Sequence, residues 1–229
     1  MRALIYSTVL AMASADWAAA QVIFTFDGLN RDIPDGSSVG IVDSRAISGA
    51  GAGIAHLAVT LSISGRGFGA NNGDLYATLV LNDTPGFSVL LNRPGREGEN
   101  PVGYGDNGLN LRLDDGSDED IHTYQMDLIG PLGTAPLTGV WQPDGRHVDP
   151  ADALDTSPRT AQLSSFVGLD PNGIWTLFVA DVEPGGTARL DSWGLVITPV
   201  PEPNGVGTLA AWTLALFGTW LRLAQRRVL

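Results

Sequence analysis

The chain has 229 residues, 44% of them apolar, with 13 arginines, no lysine and 25 aspartates and glutamates, for a net charge of −12. An acidic, lysine-free surface repels phosphate backbones, which argues against a nucleic-acid partner and suits divalent cations better. Cysteine is absent, which excludes disulfides and thiolate metal sites but not export, since a domain of this size can hold together by core burial. The 29 glycines and 14 prolines, with no long helical pattern between the two ends, favour many short strands joined by turns.

The chain opens with MRALIYSTVLAMASADWAAAQ. Arg2 gives a positive start, Ala3 to Ala15 forms an apolar stretch of signal-peptide length, and Ala18-Ala19-Ala20 offers small residues for a signal peptidase, with cleavage before Gln21. Residues 1–20 are therefore expected to be a signal peptide, the other reading being an N-terminal helix of the fold.

Residues 21–198 are expected to form one all-β domain. In LAVTLSI, Leu57, Val59, Leu61 and Ile63 share one face, and His56, Ala58, Thr60 and Ser62 share the other. The same period recurs in DLYATLVLN (Leu75, Ala77, Leu79, Leu81), followed by the turn Asp83-Thr84-Pro85-Gly86 and the strand FSVLLN. Asn92 to Asp120, rich in Asn, Asp and Glu, reads mostly as loop. Near the end, GIWTLFVAD places Trp175, Leu177 and Val179 together, and LDSWGLVI does so for Trp193, Leu195 and Ile197. Each tryptophan follows the apolar parity of its strand, which points to core packing rather than a carbohydrate-stacking platform. Strands and turns at these intervals predict a sandwich of jelly-roll type.

Four blocks occur in order: IPDG from Ile33, GDLYATLVLND from Gly73, LLNRPGREGEN from Leu90, and SSFVGLDPNGIWTLFVADVEPGGTARLDSWGLVIT from Ser164. Together they resemble the P domain (Homo B domain) of proprotein convertases and secreted bacterial subtilases. Gly173, Trp175, Leu177, Asp181, Leu190, Trp193 and Leu195 stand at that family's spacing. The resemblance implies a jelly-roll sandwich that supports a neighbouring subtilisin-like protease domain. Two departures stand out. SGRGFGANNGDL lacks the histidine that the family usually carries before Gly-Asp-Leu. Only about ten residues separate the predicted cleavage site from the first block, too few for a protease domain.

Catalytic motifs are weak. GSSVG, Gly36 to Gly40, fits G-x-S-x-G, but that motif needs a strand before and a helix after to expose its serine, here Ser38. It instead follows a Pro-Asp-Gly turn and leads into a strand-like stretch. His56 lies on the polar face of a strand, while His122 and His147 lie in polar loops and are expected to be solvated. No histidine pair has helical zinc spacing. The acidic run DDGSDED, Asp114 to Asp120, reads either as a solvated loop or as a calcium site, although it is out of register with an EF-hand. The candidate calcium ligands are Asp114, Asp115 and Asp118 of the run, with Asp74, Asp106 and Asp181 contributing from strand ends. A calcium ion there would stiffen loops, as it occasionally does in P-domain-like jelly rolls, and take no part in catalysis.

Residues 199–229 form a tail. Pro201-Glu202-Pro203 is stiff and extended, Gly205 to Leu221 is uncharged, and Arg222, Arg226 and Arg227 follow. As a helix, the apolar run would be roughly 26 Å long, at the short end of the membrane-spanning range. The arginines would stay cytoplasmic and place everything upstream outside. Pro201, Glu202, Pro203, the apolar run and the terminal arginines resemble the PEP-CTERM sorting signal of Gram-negative bacteria. That implies passage through the inner membrane, recognition by an exosortase, and delivery to the outer surface or the medium. A plain membrane anchor is the other reading. The expectation is an exported, non-catalytic structural or binding module of the envelope, beside exopolysaccharide, or else an accessory to a separately encoded subtilase. A metal-dependent hydrolase is the third reading.

Overall fold

The computed structural model describes residues 20–65 and 69–201. The predicted signal peptide up to Ala19, and the tail from Glu202 through Arg226 and Arg227, lie outside the described residues. Pro201 is exposed. Among the described residues no helix is long and apolar enough to cross a membrane.

Ten strands build two packed sheets. They are β1 (Val22–Phe26), β2 (Arg31–Ile33), β3 (Ser37–Ile47), β4 (Ile54–Gly65), β5 (Leu75–Leu81), β6 (Phe87–Asn92), β7 (Leu109–Asp114), β8 (Leu137–Trp141), β9 (Gly173–Asp181) and β10 (Ala188–Pro199). The first sheet runs β1-β10-β4-β7-β8, with β2 also on β10, and the second runs β3-β9-β5-β6. The chain passes repeatedly from one sheet to the other, giving the jelly-roll-type sandwich read from the alternation. Among the described strands β7 and β8 alone pair in parallel, and the long connection between them supplies the required crossover.

The alternating faces meet in one core. Leu57, Val59, Leu61 and Ile63 of β4 face Leu75, Ala77, Leu79 and Leu81 of β5 and Trp175, Leu177 and Val179 of β9 across the interior, all 2% exposed or less. Trp175 and Trp193 are fully buried. Their indole N–H groups donate to the Pro171 carbonyl at 2.9 Å and to Asp43 Oδ2 at 2.7 Å, so neither core tryptophan hides an unpaired donor.

Parity alone does not bring Leu190 onto the face of Trp193, three residues on. A bulge does. Leu190 pairs with Ile63 and Ser192 with Ser62, leaving Asp191 unpaired in the ladder, and both apolar residues then point inward. A second bulge lies early in β3, where the register jumps from Ser37–Asp181 to Ile41–Val179. Gly40 occupies it at φ 53°, and a Cβ there would come within 2.3 Å of the Val179 carbonyl. The G-x-S-x-G match is thus a bulged strand with Ser38 exposed, and no helix follows it.

One expectation is refined and one corrected. Asn92 to Asp120 is mostly loop, as read, but it also contains β7, whose Leu109, Leu111 and Leu113 are buried against β4. His122 is not at the surface. A 3-10 segment, Ile121–Met126, drives Ile121, His122 and Tyr124 inward, and His122 is wholly buried. Polar neighbours at both places hid short apolar periods that tertiary packing uses.

Candidate functional site

The start of β5 and the end of β9 carry an acidic centre. Continuing the inward parity of Trp175, Leu177 and Val179 brings Asp181 to the last position of β9, facing in. A 3-10 turn, Asn72–Asp74, leads into β5, and the pairing of Leu75 with Asp181 sets Asp74 beside that strand end. Asp74 is 4% exposed and Asp181 1%. Asp74 Oδ2 accepts the Asn71 side-chain amide at 2.8 Å, and its carbonyl accepts the Val182 N–H at 2.8 Å. Asp181 receives the backbone N–H of Glu183, but its Oδ1 has no partner.

The cation whose charge reaches Asp74 is already committed to other partners. Arg93 is 2% exposed, with φ 54°. It donates to the Gly73 carbonyl at 3.0 Å, to Glu183 at 2.7 Å and to the Pro101 carbonyl at 3.4 Å. Asp35, exposed in the β2–β3 turn, accepts the Gly185 N–H at 3.1 Å and so ties that turn to the β9–β10 turn. Burial, then the charges of Asp74 and Asp35, push the Asp181 carboxyl up to about 7. Burial also raises Asp74, against the Asn71 hydrogen bond and the charge of Arg93.

The remaining candidate calcium ligands are spread over other tasks. Asp106 accepts the Tyr124 hydroxyl at 2.7 Å and the Gln125 amide at 2.6 Å, beside an open depression of about 230 Å³ lined also by Leu128, Gly130, Pro131 and Leu132. Burial and this carboxylate raise the Tyr124 hydroxyl well above the ordinary tyrosine range. Asp114 pairs with Ala58 at the other end of β4 and holds Arg112, His56 and the Gly116 N–H. Burial works against its charge, yet these bonds keep its pKa below the usual value. Asp115 accepts the backbone N–H groups of Leu163 and Ser164, and Asp118 is exposed. The structure therefore brings Asp74 and Asp181 together and keeps the acidic run apart from them. Among the described residues no group of three or more His, Cys, Asp or Glu is arranged to hold a metal ion.

Each histidine has a structural setting. His56 Nε2 is 2.9 Å from Asp114 Oδ1. His122 has Nδ1 2.8 Å from Asp144 Oδ2 and Nε2 2.9 Å from the Arg96 carbonyl, so both ring nitrogens are occupied. The exposed ring of His147 lies 4.8 Å from that of Phe87. Around His122, Arg146 is 3% exposed and bridges Asp120 at 2.9 Å and Asp144 at 3.4 Å, fastening the loop after β8 to the 3-10 segment.

The sequence reading passed over two further buried carboxylates, Asp144 beside His122 and Asp43. Asp43 of β3 shares a face with Ile41 and Ile47, and a charge at apolar parity is itself a signal. It accepts Trp193 Nε1 at 2.7 Å, Arg45 Nε at 2.7 Å and a guanidinium nitrogen of Arg31 at 3.4 Å, linking the two sheets. Burial alone would raise its pKa. The hydrogen bonds from Arg45 and Trp193 and the charges of Arg45 and Arg31 overcome that and hold it below the usual carboxylate range.

No protein-family model matches the chain, and no curated protein matches it. Solved structures to which it is similar include the serine protease of Aeromonas sobria, at 16% identity and a TM-score of 0.40, and that protease in complex with a chaperone, at 15% and 0.39. Each similarity covers 78% of this chain and 26% of the other, so the chain spans about a quarter of the length of the proteases it matches.

Proposed function

We propose that this protein is an exported, non-catalytic module of the P-domain type that an exosortase sorts to the Gram-negative envelope, where it serves as a structural or binding component of the surface or matrix. The observation that carries the non-catalytic reading is that, among the described residues, no hydrogen bond joins a serine hydroxyl to a histidine nitrogen. His56 is bound to Asp114, His122 is buried between Asp144 and the Arg96 carbonyl, and His147 lies against Phe87. A nucleophilic serine needs a base within hydrogen-bond reach, and Ser38 stands exposed on a bulged strand. The export reading is supported by the two ends of the sequence, a signal-like start and a Pro-Glu-Pro, apolar, arginine order at the finish.

Fractionation of cells with and without the exosortase tests this. The mature protein is expected at the surface or in the medium, with no peptide beyond the Pro201-Glu202-Pro203 region by mass spectrometry. In exosortase-deficient cells it is expected in the inner membrane with its tail intact. An intact tail in both strains would replace sorting with plain anchoring. Stable co-purification with a subtilase would move the reading to an accessory subunit, and hydrolytic activity abolished by EDTA would overturn the non-catalytic part.

A further inference from the structure

The open depression beside Asp106 has a volume of about 230 Å³, and one carboxylate, one amide and several apolar side chains line it. Asp106 is held in place from the core. Its carbonyl accepts the Asn72 N–H at 3.0 Å, and its Oδ2 accepts both the Tyr124 hydroxyl at 2.7 Å and the Gln125 amide at 2.6 Å. Tyr124 is fully buried and takes the Asn72 side-chain amide at 3.1 Å, so the group that orients the carboxylate is itself fixed. Oδ1 receives no donor among the described residues, and no arginine among them is ion-paired with Asp106. One oxygen of a preorganised carboxylate is therefore unused at the depression.

The walls limit what fits that oxygen. Leu128, Pro131 and Leu132 bring no hydrogen-bonding side chain, and the exposed Asp127 adds negative charge from the same loop. An anion is repelled. A hard metal ion needs several converging oxygens, and a single carboxylate lines this depression. The volume lies under the roughly 300–1,000 Å³ of pockets for drug-sized ligands, which points to one side chain as the occupant. Of the cationic side chains, arginine suits apolar walls best. Its guanidinium is flat and weakly hydrated, it pairs with carboxylates, and its methylene stem lies along apolar surface. The rim extends the match. Met126 is 76% exposed and Ile129 wholly exposed, two large apolar side chains that flank Leu128 in the chain and that the fold leaves uncovered.

We propose that this depression seats an arginine side chain of a polypeptide partner. The guanidinium donates to Asp106 Oδ1, the stem lies against Leu128, Pro131 and Leu132, and Met126 and Ile129 cover apolar residues beside that arginine. The inference goes beyond the envelope reading and holds whether or not the chain is exported.

The test is calorimetric titration of the full chain, purified in detergent, with a blocked leucine-arginine-leucine tripeptide. The same tripeptide is made with lysine, and with citrulline, which keeps the shape of arginine without its charge. The proposal expects saturable one-site binding of the arginine probe, at least about tenfold weaker binding of the citrulline probe and at least about threefold weaker binding of the lysine probe. Asp106→Asn is expected to weaken the arginine probe at least about tenfold, while Asp83→Asn, at an exposed carboxylate in the β5–β6 turn, leaves it unchanged. Asp106→Asn is isosteric, and its amide oxygen still accepts from Tyr124 and Gln125. Circular dichroism checks its fold, and the citrulline comparison needs only the wild type. Four results would each overturn the proposal: no saturable response to the arginine probe, citrulline bound as tightly as arginine, lysine bound at least as tightly as arginine, or an Asp106→Asn protein that folds and binds the arginine probe like the wild type.

Discussion

Asp43 and Asp181 are two inward-facing carboxylates on adjacent strands of the same sheet, both almost fully buried, and they are shifted in opposite directions. Asp43 meets an indole N–H and two guanidinium groups, and its charge is held. Asp181 meets one backbone N–H and the negative charge of Asp74, and its charge is resisted. Burial raises the pKa of both, so partner supply decides the sign. Asp43 works as a clasp, joining β3 in one sheet to Trp193 in the other. Asp181 has the opposite character, a position whose charged form costs the fold free energy.

The comparison is broken most severely at Trp193. Its ring is fully buried, 4.7 Å from Phe26, and its N–H is, with the more distant Arg31, a partner that reaches Asp43 from the opposite sheet. Trp193→Ala is expected to cost about 3–5 kcal/mol in urea unfolding, from lost apolar burial and the cavity left behind. A shift near zero would mean that the ring is not in the core. Next is Asp43→Asn, which keeps the shape and removes the charge, leaving Arg45 and Arg31 without their carboxylate. The expected cost is about 1–3 kcal/mol at pH 7, the range for hydrogen bonds to charged groups. Because the folded pKa lies below the unfolded value of 3.8, this contribution is present above pH 3.8 and is lost as the pH falls through the folded value. Wild type and Asp43→Asn should therefore converge in acid.

How far these two sites were legible in the sequence differs for physical reasons. The strands of Leu57–Ile63 and Trp175–Val179 announce themselves by period two, and the burial of both tryptophans follows from their parity. β7 has the same period in Leu109, Leu111 and Leu113, but its acidic and amide neighbours gave a stronger loop signal. His122 sits among polar residues, and its partner Asp144 lies 22 positions on, in a separate loop that no local pattern connects to it. Asp74 and Asp181 could each be placed at a strand end. Their meeting depends on β5 lying beside β9, a pairing across about a hundred residues that alternation does not encode. Asp43 was legible in principle, as a charge at apolar parity between Ile41 and Ile47.

The opposite sign is read from Asp181→Asn. Unfolded, the carboxyl titrates near 3.8, and folded near 7, so the folded state holds a proton that the unfolded state has lost. Between those values stability falls as pH rises, and the penalty is then constant above pH 7. In chelator at pH 8, Asp181→Asn is expected to be more stable than the wild type by about 1–2 kcal/mol, less than the full shift implies because solvent around Asp35 screens part of it. Near pH 3 the two should coincide. A destabilised variant at pH 8 in chelator would mean that Asp181 has a charge partner and that the two carboxylates are alike.

The smallest effect is expected at Arg31, the outermost member of the Asp43 clasp. Its side chain is 39% exposed and stands 3.4 Å from Asp43 Oδ1, a long ion pair in contact with water. Such pairs contribute about 0.2–1 kcal/mol and weaken as salt is added. The same guanidinium also donates to the Val42 carbonyl at 2.6 Å on the edge strand β3, a bond that salt does not screen in the same way. Arg31→Ala is therefore expected to cost about 0.5–1 kcal/mol, with only part of that cost removed by 1 M salt. If salt removed all of it, the Val42 contact would contribute nothing. A cost above about 2 kcal/mol would place Arg31 on a par with Arg45, and Asp43 would then depend on its exposed partner as much as on its near one.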